Sequence, residues 1–166
     1  MRVPWIHINI YLLLALLAGC SSTNDEDKDS TQIYLHLEVN RTGNKKSMRV
    51  PVYRADPFMV NVEESPFLHN GYLVNATLNV NPTGGHTLSL KFDRHGTLVL
   101  NSASVRNRGR RVAIHCVFGQ SRWIAAPVLR HRIDNGVLTF TPDATEEECN
   151  RIVRGLNNVA DELFPQ

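Results

Sequence analysis

Arg122-Trp123 and His115-Cys116 are the dipeptides of this chain whose side chains most invite a chemical reading. A guanidinium beside a broad amphipathic ring is a pairing that dominates binding hot spots. On the returning strand of a hairpin it either forms a contact surface or packs against the sheet. His115 and Cys116 leave opposite faces of a strand, and no Cys-x-x-Cys or His-x-x-x-His accompanies them, so they make no zinc signature. Acyl transfer needs a nucleophile held on a base, yet neither Gly-x-Ser-x-Gly nor Ser-x-x-Lys occurs. Glu63-Glu64 read as loop residues, and Glu146 to Glu148 are explained by helix capping. A Gly-x-x-x-x-Gly-Lys loop for nucleotide phosphate is missing too. His131, between Arg130 and Arg132, reads as a turn residue rather than a base. The expectation is a non-catalytic chain without metal or cofactor. The alternative is a small hydrolase assembled from residues distant in sequence, recognisable by a concave pocket with nucleophile and base in contact.

The elements that must position these residues follow from hydrophobic periodicity. Val112, Ile114, Cys116 and Phe118 alternate with Ala113, His115 and Val117, which predicts a strand with its first set inward. Gly119-Gln120-Ser121 turns the chain, and Arg122 to Ala126 returns as the partner strand, ended by Pro127. Asn135-Gly136 is the strongest short turn signal, and Val137–Thr141 resumes as a strand. Thr145-Glu-Glu-Glu148 is a capping box opening a helix over 146–157, whose stripe is Cys149, Ile152, Val153, Leu156 and Val159. Upstream, Ile33 to Val39, Met48 to Val52 and Phe58 to Val62 read as strands, with Pro51 marking an edge and the basic run 41–46 a hairpin loop. Tyr72 to Val80 and Leu88 to Phe92 alternate as a hairpin with one wet face. Asp93 caps a helix over 94–107, where Leu98, Leu100, Ala103 and Val105 supply apolar area and Gly109 the stop.

In order and spacing, several pieces of this region resemble the periplasmic head subdomain of the SecD protein-export subunit. They are Asn107-x-Gly109, Arg111-Val-Ala-Ile114, Ala125-Ala-Pro-Val128, Ile133 with Gly136, Phe140-Thr141, and Glu147-Glu148 before an apolar helix. The resemblance covers Tyr72 to Leu156, about half of the chain. Ser104 stands where that family usually has threonine, and Cys116 and Phe118 where it often has an aspartate-glycine turn. The membrane-spanning bundle of SecD has no counterpart in the sequence, so a proton-coupled export motor is not expected. What the resemblance implies is a module that contacts exported polypeptides. From the strand and helix faces themselves the expected fold is α+β and two-layer, with the strands in one largely antiparallel sheet and both helices on its apolar face.

Residues 1–19 read as a signal peptide. Leu17-Ala-Gly-Cys20 resembles the lipobox of bacterial lipoproteins, which implies cleavage before Cys20 and lipid on its sulfur. Residues 20–31 are then a lipidated cysteine and an acidic tether, too polar to bury a core, and 32–166 a single α+β domain with one core. The tether holds the domain within about 20 Å of the lipid surface, or about 35 Å when stretched. The expected location is the cell membrane or outer membrane, facing the periplasm or exterior. The expected role is a lipid-anchored binding or accessory module for exported or envelope proteins, with a hydrolase or a purely structural lipoprotein as alternatives.

Lipidation leaves Cys116 and Cys149, both inward by periodicity. They are either disulfide-bonded or two buried thiols packing as small hydrophobes. The net charge of +2 is uninformative. Locally, Arg106, Arg108, Arg110 and Arg111 cluster, with Arg122, Arg130 and Arg132 further on. These are either an anion site, for phosphate head groups or an acidic partner, or solvated charges complementing a helix end. Nucleic acid is not expected, because aromatic stacking residues are not interleaved with them. The candidate binding surface is Arg122, Trp123, Arg130 and Arg132.

Overall fold

A computed structural model describes residues 30–40, 46–80 and 85–165. The signal segment, Cys20 and most of the basic loop 41–46 lie outside the described residues. The strands are β1 (Gln32–Leu37), β2 (Ser47–Val52), β3 (Phe58–Glu63), β4 (Leu68–His69), β5 (Leu73–Val80), β6 (His86–Phe92), β7 (Val112–Val117), β8 (Ser121–Ala125) and β9 (Val137–Phe140). Helix α1 (Arg94–Arg106) follows β6, and α2 (Glu146–Leu163) closes the chain. The fold is α+β, and every strand pair is antiparallel.

The strands do not merge into the one sheet expected. They form a four-stranded sheet, β4-β1-β7-β8, a three-stranded sheet, β5-β6-β9, and a two-stranded sheet, β2-β3. The β7-β8 hairpin recruits β1, with Ile33 opposite Cys116 and Leu35 opposite Ile114, whereas β5-β6 recruits β9, with Leu88 opposite Phe140. Residues from both larger sheets meet residues from both helices in one core: Ile33, Ile114, Leu90, Phe140, Leu100 and Ile152 all belong to it. Two separate sheets enclose that core better than one, because each turns a single apolar face inward and the helices complete the wall. The hairpin expected between β1 and β2 does not form, since β2 pairs with β3 and β1 with β4 and β7.

A second, smaller cluster departs from the single core expected. Val50, Val52, Val60 and Val62 of the β2-β3 hairpin pack on Ala113 and Ala126, with Met48, Phe58 and Trp123 against them. The hairpin therefore covers the outer face of the four-stranded sheet. It is tied at one end by Val39 N donating to Asn61 O at 2.9 Å and by a bridge between Glu38 and Val62.

Both helices are capped as their sequences require. Asp93 Oδ1 accepts from Gly96 N at 2.7 Å at the start of α1. At α2, Thr145 Oγ1 accepts from Glu148 N at 3.2 Å while Glu148 Oε2 accepts from Thr145 N at 2.9 Å. Helix α2 buries Cys149, Ile152 and Leu156 but runs on to Leu163, past the expected end at 157. In α1 only part of the expected apolar set is inside: Leu100 and Ala103 are buried, whereas Leu98 is 60% and Val105 55% exposed. Ser104 takes their place, donating its hydroxyl to Asn101 O at 2.8 Å and accepting from Ile133 N at 3.0 Å. The Asn135-Gly136 turn has Gly136 at φ +70°, where Thr97 leaves no room for a Cβ. It feeds β9 toward β6 instead of closing a two-strand hairpin.

Candidate functional site

Strand alternation places Tyr34 and His36 of β1, His115 of β7 and Ser121 and Trp123 of β8 on the outer face of the four-stranded sheet. Register puts Tyr34 opposite His115 and His115 opposite Trp123. The Trp123 ring lies 4.9 Å from that of His115 and 5.0 Å, edge on, from that of His36. His36 is 5% exposed, and its Nδ1 sits 2.9 Å from the carbonyl of Glu63 on β3. A carbonyl only accepts, so that nitrogen carries the proton. Burial lowers the His36 pKa, with the Glu63 carbonyl working in the opposite direction, and burial followed by the charge of His36 lowers that of His115. Both rings are held toward the neutral form.

Beside Trp123 a cavity of about 300 Å³ opens between the hairpin and β8, lined by Pro51, Tyr53, Arg54, Pro57, Ser121, Arg122 and Trp123. Tyr53 is the one non-glycine residue at positive φ among the described residues, at 72°; it is 39% exposed, and its ring lies tilted 5.6 Å from that of Phe58. A tyrosine in the left-handed region is strained, and such strain persists only where neighbours enforce it. Here the next residue enforces it: Arg54 N donates to Asp143 Oδ2 at 2.6 Å, and its guanidinium donates to both Glu148 oxygens at 3.2 and 3.1 Å.

Arg122 belongs to the same network. Its side chain is 16% exposed, and its Nη1 donates to Asp143 O at 3.1 Å. Nη2 lies 3.1 Å from Glu148 Oε2, an ion pair by distance rather than an aligned hydrogen bond, and the guanidinium carbon stands 5.4 Å over the Phe118 ring. Burial would raise the Glu148 pKa, but the Thr145 amide, Gln120, Arg122 and Arg54 outweigh it and hold the carboxyl below its ordinary value. Arg122 is thus a largely covered cation in the wall of the cavity, and Trp123 is half-buried with one side in the second core. Arg130 and Arg132 lie elsewhere: both are exposed, Arg132 pairs with Asp134 at 3.6 Å, and neither lines this cavity. The four residues of the expected binding surface therefore fall in two places.

Cys116 and Cys149 meet in the main core, as their periodicity requires, and are free thiols. Burial first of all pushes Cys116 up to about 12 and Cys149 up to about 11. Neither is a nucleophile at neutral pH. No cluster of three or more histidine, cysteine or acidic residues able to hold a metal occurs among the described residues, and no helix there is long and apolar enough to cross a membrane. One contact bears on hydrolysis: His115 Nε2 and Ser121 Oγ are 2.8 Å apart.

No family model matches the chain, and no curated protein does. Among solved structures it is similar to that of SecDF, described as a membrane component that enhances protein export, with a TM-score of 0.55 and 18% identity. That match covers 78% of this chain and 63% of the other. A crystal structure of SecDF in its super-membrane-facing form gives the same TM-score at 20% identity, over 78% of this chain and 19% of that one. The domain has a SecDF-like fold.

At these identities the likeness is one of fold, and the chain spans only part of either SecDF chain. It reaches further along this protein than Tyr72 to Leu156, the stretch that carries the resemblance in sequence. Within the SecDF-like domain, the residues that sequence reasoning missed are Tyr53, Arg54, Pro51 and Pro57. The prolines are visible as breaks in the sequence. The positive φ of Tyr53 and the pairing of Arg54 with residues some 90 positions away leave no local signal.

Proposed function

We propose that this chain is an envelope lipoprotein, anchored to a membrane through lipid on Cys20, whose SecDF-like domain is a non-catalytic accessory module that holds segments of exported polypeptide. The observation that carries the reading is the fold shared with SecDF, a protein that enhances protein export. The cavity supplies the place. Its walls are two prolines and the rings of Tyr53 and Trp123, with Arg54 at the side, a composition suited to one apolar side chain of an extended segment. A site of this size favours weak, transient contact, which suits a polypeptide in transit.

Removal of the signal leaves Trp123 as the only tryptophan, because the other is Trp5. Its emission therefore reports on the cavity wall and on the second core behind it. Titration with an unfolded, tryptophan-free polypeptide should give a saturable change that the folded form of the same polypeptide does not. A flat titration with the unfolded form would sink the reading. Intact mass of the membrane-extracted protein tests the anchor separately, since an unmodified Cys20 or a retained signal would contradict it.

The contact between His115 and Ser121 favours a second reading, a small hydrolase. No carboxylate stands on the other ring nitrogen of His115 among the described residues, so a third group to orient the base is missing. Under the accessory reading, a fluorophosphonate probe leaves Ser121 unlabelled. Labelling that Ser121→Ala abolishes would establish the hydrolase instead.

A further inference from the structure

The two basic clusters of the sequence come together at one end of the molecule. Gly109 N donates to Leu129 O at 2.8 Å, and Leu129 N donates to Arg110 O at 2.9 Å. Ser104, near the end of α1, accepts from Ile133 N. These bonds set the segment with Arg130 and Arg132 against the α1 terminus with Arg106, Arg108 and Arg110. All five arginines are exposed. Among the described residues Asp134, Glu38 and Glu63 are the acids beside them. Asp134 pairs with Arg132, and Glu38 is occupied, its carboxylate accepting from Arg111 N at 2.8 Å and its carbonyl from Arg110 Nη1 at 3.5 Å. Arg111 itself is committed to the fold, over the Phe58 ring at 5.0 Å and donating to Ala126 O at 3.1 Å.

Next to this cationic end, the outer face of α1 shows Leu98 and Val105, seven residues apart and so on one side of the helix. A groove of about 510 Å³ runs beside it, walled by Leu37, Phe67, Val99 and Ala103, with Arg106 and Glu63 as its charged residues. Exposed apolar groups flanked by arginines match the two layers of an anionic bilayer surface, acyl carbon below and phosphate above. An acidic protein would offer the charge as well, but a domain tethered to a membrane already stands beside the lipid surface.

We infer that α1 and the arginine-rich end beyond it form a docking face for an anionic phospholipid surface. The inference rests on the reading of the chain as membrane-tethered. Tether length permits it. The arginines lie at the Leu37 end of β1, about 23 Å from Ser30 at the strand rise per residue, and the tether from Ser21 to Ser30 reaches about 35 Å. The domain would lie against the membrane rather than hang from it.

The test uses residues 20–166 with Cys20→Ala, which keep every element and both cores and have no lipid of their own. The expected result is co-sedimentation with vesicles containing phosphatidylglycerol and none with vesicles of phosphatidylcholine alone, weakening as salt is raised. Arg108→Glu and Arg130→Glu should each weaken binding about fivefold or more, and Leu98→Ser should weaken it without changing the unfolding temperature. Equal binding to both vesicle types, binding unaffected by these substitutions, or binding to polyglutamate without binding to vesicles would each overturn the inference; the last outcome would assign the face to an acidic protein. Because the chain tested is unlipidated, its failure is separate from failure of the Cys20 anchor.

Discussion

Glu148 caps α2, accepts from Gln120 at 2.9 Å and neutralises Arg54 and Arg122. Glu148→Ala removes all three, and we expect a loss of about 2 kcal/mol; Glu148→Gln keeps the capping box and should lose about 1 kcal/mol. Denaturant unfolding of the two variants separates cap from charge: equal losses would mean that the cap adds nothing to the charge, and an unchanged Glu148→Gln that the arginines gain nothing from the carboxylate. The histidines make a pH prediction. Both His36 and His115 have folded pKa values below the ordinary 6.5. The unfolded chain therefore binds more protons, so stability is complete above 6.5 and is lost as pH falls through that value toward the lowered ones. The melting temperature should drop between about pH 8 and about pH 5.5, less steeply in His36→Gln; an unchanged slope would remove His36 from the account. The thiols should resist a disulfide reagent in the native state and react once denatured. At this scale Trp123 and Arg122 were legible as informative residues, but their burial was not. A period of two assigns a face, and it cannot say that a hairpin far away in sequence will cover that face.

At the scale of elements, local signals carried well. The capping box, the Asp93 cap, the β5-β6 and β7-β8 hairpins and the edge position of β2 all stand as their residues imply. Partner choice was not legible, because β1 pairing with β7 joins residues some 80 positions apart and depends on which apolar faces close the core. Edge protection was equally hidden. Asn157 of α2 accepts from Ala76 N at 2.7 Å and donates to Ala76 O at 3.0 Å, occupying both backbone groups as a neighbouring strand would. Asn157→Ala should cost about 1–2 kcal/mol and leave the β5 edge open to pairing. The cost is read by denaturant unfolding and the open edge by concentration-dependent association; a variant as stable and as monomeric as the parent would refute the role. The β2-β3 hairpin rests on a small cluster, so its amides should exchange before those of β1 and β7. Uniform protection across all four strands would show that the two cores unfold as one.

At the scale of the whole molecule, two sheets and two helices enclose one core, and a hairpin laid over the outer sheet face creates the cavity at Tyr53 and Trp123. The composition of the helix faces pointed to a layered α+β domain, and the ordered series of short motifs pointed to SecD. Neither could show that the strands divide into separate sheets, since strands with one apolar face satisfy either arrangement. The central claim is that the cavity under the hairpin meets polypeptide in transit across the envelope. Its most direct measurement places a photoreactive amino acid at Tyr53 in the full-length chain in cells, with Glu147 on the exposed side of α2 as the control position. Illumination during export should crosslink the Tyr53 position, and not the control, to polypeptides still carrying their signal segments. Crosslinks of equal yield from both positions, or none from Tyr53, would contradict the claim.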